Sequence, residues 1–105
     1  MVELNGLRLA CSISMRSSMH VRIFLIGSAV ACARKRRPGH AQPDDAETLI
    51  TAVLRHGGKV RVCSTCVEDQ EDRADLLTEL VDGVTLSTLD ELTRWITEAE
   101  RVLVF

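Results

Sequence analysis

Apolar positions in this chain fall into two spacings that alternate from one end to the other. Between residues 2 and 16 ("VELNGLRLACSISMR") Leu4, Leu7 and Cys11 recur at helical spacing with Ala10 beside them, which predicts a helix with one stripe facing a core. The next apolar stretch, "HVRIFLIG", is continuous from Ile23 to Ile26, the pattern of a strand covered on both faces. "ARKRRPGHAQP" then has no periodicity and reads as a basic loop punctuated by Pro and Gly. Asp44 and Glu47 form a capping box that opens a helix, with Ala46, Leu49, Ile50, Val53 and Leu54 on one face and Gly57-Gly58 at its end. "KVRVC", residues 59–63, is a second strand. An acidic, mostly helical stretch follows, anchored by Leu77, Leu80 and Val81, and then the short strand "GVTLS". Thr88 and Glu91 repeat the capping box, and Leu89, Leu92, Trp95, Ile96 and Ala99 make the apolar face of the last helix. "RVLVF" closes the chain as a strand.

This alternation predicts an α/β fold, a parallel sheet with helices on both faces. Because the chain opens on a helix, its first strand–helix–strand unit lacks a leading strand.

Composition narrows the picture. With 105 residues and 11.6 kDa the chain makes one domain, 1–105, with a modest core. An apolar fraction of 46% and a formal charge of −2 argue against disorder and against a general attraction to nucleic acid. One Trp, two Phe and no Tyr leave few surfaces on which bases stack, so no direct nucleic-acid contact is expected. The longest apolar stretch, "FLIGSAVACA", is about half the roughly 20 residues of a membrane helix, so no membrane span is expected. "LRLAC" resembles a lipoprotein cleavage site, but Arg8 interrupts it and no basic or long apolar segment precedes it. Without an export signal the expected compartment is the reducing cytoplasm, where paired thiols are more often catalytic or metal-binding than structural.

The candidate chemistry lies in "KVRVCSTCVEDQ". In open α/β sheets ligands and chemistry gather beyond the carboxyl ends of the strands, and Cys63 occupies that place on its strand. Cys66 falls in the first turn of whatever helix follows, where backbone N–H groups and the helix dipole favour a thiolate, so Cys63 is expected to be a nucleophilic sulfur. The acidic run "EDQED" partly opposes that ionisation. A thioredoxin-like reading needs a proline after the pair, yet Pro38 and Pro43 both precede Cys63. Zinc needs four ligands; only one Cys pair is present, and Cys32, His40 and His56 stand at irregular spacing, so no metal or other cofactor is expected. Cys11 and Cys32 read as small buried hydrophobes. His56 reads as a group on the last carbonyls of its helix, and Trp95 as core or subunit contact. The basic run Arg34, Lys35, Arg36 and Arg37 steers an acidic partner, or holds Cys63 deprotonated, or is a solvated loop.

"VRIFLIGSAVACA", the helix ending "RHGG", "VRVCSTC", "LVDGV" and "STLDELTRWITEAERVLVF" together resemble small DsrE/DsrF-like sulfur-relay proteins, over nearly the whole chain from about Asn5 to Phe105. The resemblance implies a three-layer α/β/α sandwich with a mostly parallel sheet, assembly as trimers or hexamers, and partners that donate and accept sulfur. It places the cysteine that receives a persulfide sulfur at Cys63, and at Cys66 the second thiol of a C-x-x-C subgroup, which resolves the persulfide or stays a spectator. The chain departs from the pattern in three ways. Family members begin with a strand, central to their sheet, that is missing here; an Arg-Gly usual after the second cysteine is replaced by "EDQEDR"; and an aspartate usual after the preceding strand is replaced by Ser28. The function implied is a sulfurtransferase-like carrier relaying sulfur from Cys63. The alternatives are a non-catalytic assembly subunit of such a complex and a C-x-x-C redox or zinc-binding module.

Overall fold

The computed structural model describes residues 2–16, 20–36, 39 and 45–99. The elements run α1 (Val2–Arg16), β1 (Arg22–Leu25), a 3-10 helix (Gly27–Ala33), α2 (Ala46–Arg55), β2 (Lys59–Cys63), α3 (Ser64–Glu68), α4 (Arg73–Thr78), β3 (Thr85–Ser87) and α5 (Leu89–Glu98). The described strands form one parallel sheet in the order β1-β2-β3. Arg22 pairs with Lys59 and Leu25 with Val62, and Cys63 pairs with Ser87, so β1 and β2 are direct neighbours with no gap between them. The predicted closing strand, residues 101–105, lies outside the described residues.

Side chains alternate across the sheet, and the two faces differ in chemistry. Leu25, Val60 and Val62 are buried, with Ile23 packed beside them, and they meet Leu49, Ile50 and Val53 of α2. Helix α1 lies against α2 and adds Leu7 and Cys11 to the same cluster. Burying a Val, Leu or Ile side chain contributes about 1.5–3 kcal/mol, so this face supplies most of the cohesion. The opposite face carries Arg22, Phe24 and Arg61 and is covered by α5, which gives the third layer. Trp95 sits edge-on to Phe24, ring centroids 6.0 Å apart, with the guanidinium groups of Arg22 and Arg61 each 5.6 Å from its ring. Arg22 pairs with Glu98 at 2.9 Å and Arg61 with Glu91 at 3.2 Å, which pins both ends of α5.

Local expectations and structure part at several points. The capping residue of α2 is Asp45, whose carboxylate accepts from Thr48 N–H at 2.8 Å. Asp44 lies outside the described residues. Glu47 turns to Arg36, at 2.9 Å, and so leaves the capping box. At α5 the Thr88 hydroxyl accepts from Glu91 N–H as expected, but the Glu91 carboxylate takes the Ser87 hydroxyl and Arg61. The apolar face expected for α5 is buried mainly through Trp95, while Leu89, Ile96 and Ala99 are exposed, because the sheet face beneath is polar. In the acidic segment Val81 is buried and Leu80 packs against the core as expected, while Leu76 takes the place of the exposed Leu77. Residues 27–33, apolar and Gly-led, form a 3-10 helix against α3, which periodicity did not reveal.

Two glycines are required where the chain re-enters the sheet. Gly57 has φ +83°, and a Cβ on Gly58 would lie 2.5 Å from Val53 Cγ1 and 2.8 Å from the Val21 carbonyl. The turn therefore brings α2 and β2 together at backbone contact distance.

Candidate functional site

Parallel strands present their carboxyl ends at one edge, so the residues that follow β1, β2 and β3 meet there. Cys63 closes β2 and is also the N-terminal flanking residue of α3, with extended backbone (φ −65°, ψ 118°) before the chain turns helical. The residue is 1% exposed. Burial pushes this thiol up, but the hydrogen bonds around it outweigh burial and the net direction is down. They come from the Cys66 thiol, the Thr65 hydroxyl and the backbone N–H groups of Cys66 and Thr65. The Thr65 hydroxyl is 3.2 Å from Cys63 Sγ. The two backbone N–H groups favour the thiolate without the geometry of a full cap in the resting helix.

Cys66 is half-buried and moves the opposite way. Its hydrogen bond to Cys63 raises its pKa; the Gly27 N–H lowers it; burial and the charges of Cys63 and Asp69 raise it again. One thiol is therefore poised to ionise while its neighbour keeps its proton, the arrangement of a donor serving a thiolate. Gly27 follows β1 at φ +58°, a conformation that glycine adopts without penalty, and this aims its N–H at the Cys66 sulfur.

The structure thus brings the two predicted residues, Cys63 and Cys66, into one hydrogen-bonded unit. It adds two residues that sequence reasoning missed. Thr65, between the thiols in the first turn of a helix, was legible from position alone; Gly27 was signalled only as the glycine ending a neighbouring strand. Beyond Thr65 opens a cleft of about 220 Å³ lined by Ser64, Thr65, Thr88, Leu89 and Asp90.

Other candidates lie elsewhere. The basic run is a surface segment laced with ion pairs, and not the electrostatic partner of Cys63. Arg34 pairs with Asp72 and Glu79, Lys35 with Asp82, and Arg36 with Asp45 and Glu47, while no lysine or arginine is among the groups that chiefly set either thiol. Arg37 lies outside the described residues. His56 sits at the opposite end of β2, where Nδ1–H donates to the Ala52 carbonyl at 2.8 Å, the helix-end role expected of it. Cys11 is buried in the α1 stripe, and Cys32 is half-buried against the core. Among the described residues no three His, Cys, Asp or Glu side chains gather as a metal-binding group, so zinc shared with Cys32 and His56 finds no support; His40 lies outside the described residues. No described helix is long and apolar enough to cross a membrane.

A strand-end thiol on a three-layer parallel α/β scaffold defines a class of small thiol proteins, and comparison with known proteins identifies the family. Residues 4–105 match the DsrE/DsrF-like family, and the chain belongs to it. Protein YchN of Escherichia coli is 31% identical over 103 residues, which cover 96% of this chain and 84% of that protein. An uncharacterized protein of Methanocaldococcus jannaschii is 27% identical over 101 residues, again 96% of this chain and 84% of its own length. The crystal structure of the Escherichia coli ychN protein superposes with a TM-score of 0.80 at 31% identity, covering 96% of this chain and 84% of that one. The family as a whole is associated with sulfur relay.

Proposed function

We propose that this protein is a sulfur carrier in which Cys63 accepts a persulfide sulfur from a donor protein and passes it to an acceptor. The Cys63 thiolate attacks the outer sulfur of the donor's Cys–S–SH. A new S–S bond forms, the donor's S–S bond breaks, and the donor thiolate leaves and takes a proton from solvent. The acceptor thiolate then attacks the outer sulfur on Cys63 in the same way. Each step is a two-electron displacement with no external oxidant, and its rate follows thiolate fraction, leaving-group pKa and access. Cys66 donates to the Cys63 sulfur. Once deprotonated it attacks the inner sulfur of the Cys63 persulfide, forming a Cys63–Cys66 disulfide and releasing hydrosulfide; its raised pKa holds that reaction back. Donor and acceptor proteins, a trimeric or hexameric assembly and a cytoplasmic setting complete this reading, as the family resemblance implies.

The observation that carries the proposal is the set of donors from Cys66 and Thr65 converging on Cys63, which lowers its pKa despite burial. That burial, at 1% exposure, favours a second reading, an assembly subunit that carries no sulfur. One experiment separates them. Reduced protein is incubated with a persulfide donor and intact masses are taken for wild type, Cys63→Ser and Cys66→Ser. A carrier gains the mass of one sulfur atom in wild type and loses that gain with Cys63→Ser. No sulfur gain in either wild type or Cys66→Ser, with no Cys63–Cys66 disulfide in wild type, leaves the assembly subunit.

A further inference from the structure

Cys63 ends the middle of the three described strands, so its buried sulfur is flanked on two sides. On the β1 side stand Cys66 and the Gly27 N–H bonded to it. On the β3 side is the open cleft, with Ser64 and Thr65 on one flank and Thr88, Leu89 and Asp90 on the other. Thr65 belongs to both environments, since its hydroxyl is 3.2 Å from Cys63 Sγ while the residue lines the cleft. Rotation of this exposed side chain, a nanosecond event for such a residue, moves its hydroxyl away from the sulfur.

The wall formed by the start of α5 states what the cleft accepts. Leu89 is 55% exposed, although it opens the apolar stripe of its helix, so an apolar group entering here shields its surface from water. Asp90 adds a negative charge to the same wall. Among the described cations, Arg34, Lys35, Arg36 and Arg61 are held in ion pairs with other carboxylates, and Arg94 lies one helical turn beyond Asp90 on α5. Asp90 is the charged group among the residues lining the cleft, so its carboxylate attracts a cation there and repels small anionic sulfur donors such as thiosulfate. We infer that this cleft is the docking site for a partner-protein segment that presents a cysteine persulfide flanked by an apolar side chain and a Lys or Arg, and that the sulfur reaches Cys63 from this side, past Thr65. The inference rests on the sulfur-carrier reading.

The test compares three small disulfides with full-length protein: cationic cystamine, anionic dithiodiglycolate and neutral bis(2-hydroxyethyl) disulfide. In each, the Cys63 thiolate bonds one sulfur and the other half leaves as a thiolate. Products at Cys63, counted as mixed disulfide plus any Cys63–Cys66 disulfide formed from it, are followed by digestion and mass spectrometry. Dividing each charged-probe rate by the neutral-probe rate of the same variant cancels changes in intrinsic reactivity. The wild-type cation-to-anion ratio exceeds one; it falls about three- to tenfold in Asp90→Asn, as for a unit charge in a mostly aqueous dielectric, and collapses near roughly 0.5 M salt. Asp69→Asn, which alters the Cys66 side, leaves it in place. A ratio indifferent to Asp90→Asn, or one that instead follows Asp69→Asn, overturns the inference while the carrier reading stands. A neutral probe that never reaches Cys63 removes both.

Discussion

Replacing Thr65 by valine deletes one hydroxyl and keeps the shape of the side chain, so it isolates one donor to Cys63. A hydrogen bond to a charged group contributes about 1.5–3 kcal/mol, and Thr65 is exposed, so water competes and the lower end applies. At about 1.4 kcal/mol per unit this raises the Cys63 pKa by about one unit and cuts the thiolate fraction roughly tenfold at any pH below the midpoint. The backbone N–H groups of Thr65 and Cys66 remain, so the shift is partial. The assay is the pH dependence of iodoacetamide alkylation at Cys63, resolved by peptide mass spectrometry. A lowered pKa means that the rate plateau is reached at lower pH. The wild-type midpoint therefore lies below that of an ordinary unperturbed cysteine; Thr65→Val moves it up and Thr65→Ser restores it. A Thr65→Val midpoint equal to wild type refutes the donor role of the hydroxyl. A wild-type midpoint at or above that of free cysteine refutes the claim that hydrogen bonds outweigh burial at this sulfur.

Two further outcomes test the scaffold. Gly58→Ala places a methyl 2.5 Å from Val53 Cγ1 and 2.8 Å from the Val21 carbonyl, so α2 and β2 are forced apart; a loss of about 2–3 kcal/mol in urea unfolding is expected, and an unchanged midpoint rejects the close approach. Glu91 is held below the usual carboxylate range, first by the Ser87 hydroxyl and, against the opposing effect of burial, by Arg61 and Arg94. Its folded pKa is depressed, so its contribution is present above the ordinary carboxylate pKa and is lost as pH falls through the folded value. Trp95 fluorescence and thermal unfolding between about pH 5 and pH 3 check this, and Glu91→Gln flattens that part of the profile.

Much of this fold was legible because it is written in local spacing. The β-branched run "KVRVC" sits as predicted, α1 spans the residues its stripe marked out, and the parallel arrangement followed from alternation. What misled was local chemistry with a rival partner. Glu47 is well placed for a capping box, yet Arg36 draws it away from residues further back in the chain, and Asp45 takes over the cap. Leu89 and Ile96 lie on the helical stripe with Trp95, but a stripe is buried only if the surface opposite is apolar. Here the opposing sheet face offers Arg22 and Arg61, which suit the indole ring and the carboxylates of α5 and leave the aliphatic side chains outside.

The candidate site divides the same way. The sequence by itself determined that a thiol ends a strand and that a second follows within one helical turn, because strand period, helix start and the three-residue interval are all short-range. It also carried enough of the family pattern to name the relatives. Only the tertiary structure decided that Cys63 is buried, that the N–H of Gly27, just past another strand, bonds Cys66, and that α5 brings Leu89 and Asp90 to the wall beside Thr65. Those features depend on groups more than twenty residues apart meeting at one sheet edge. No local periodicity records the balance between desolvation and converging donors that such a meeting creates.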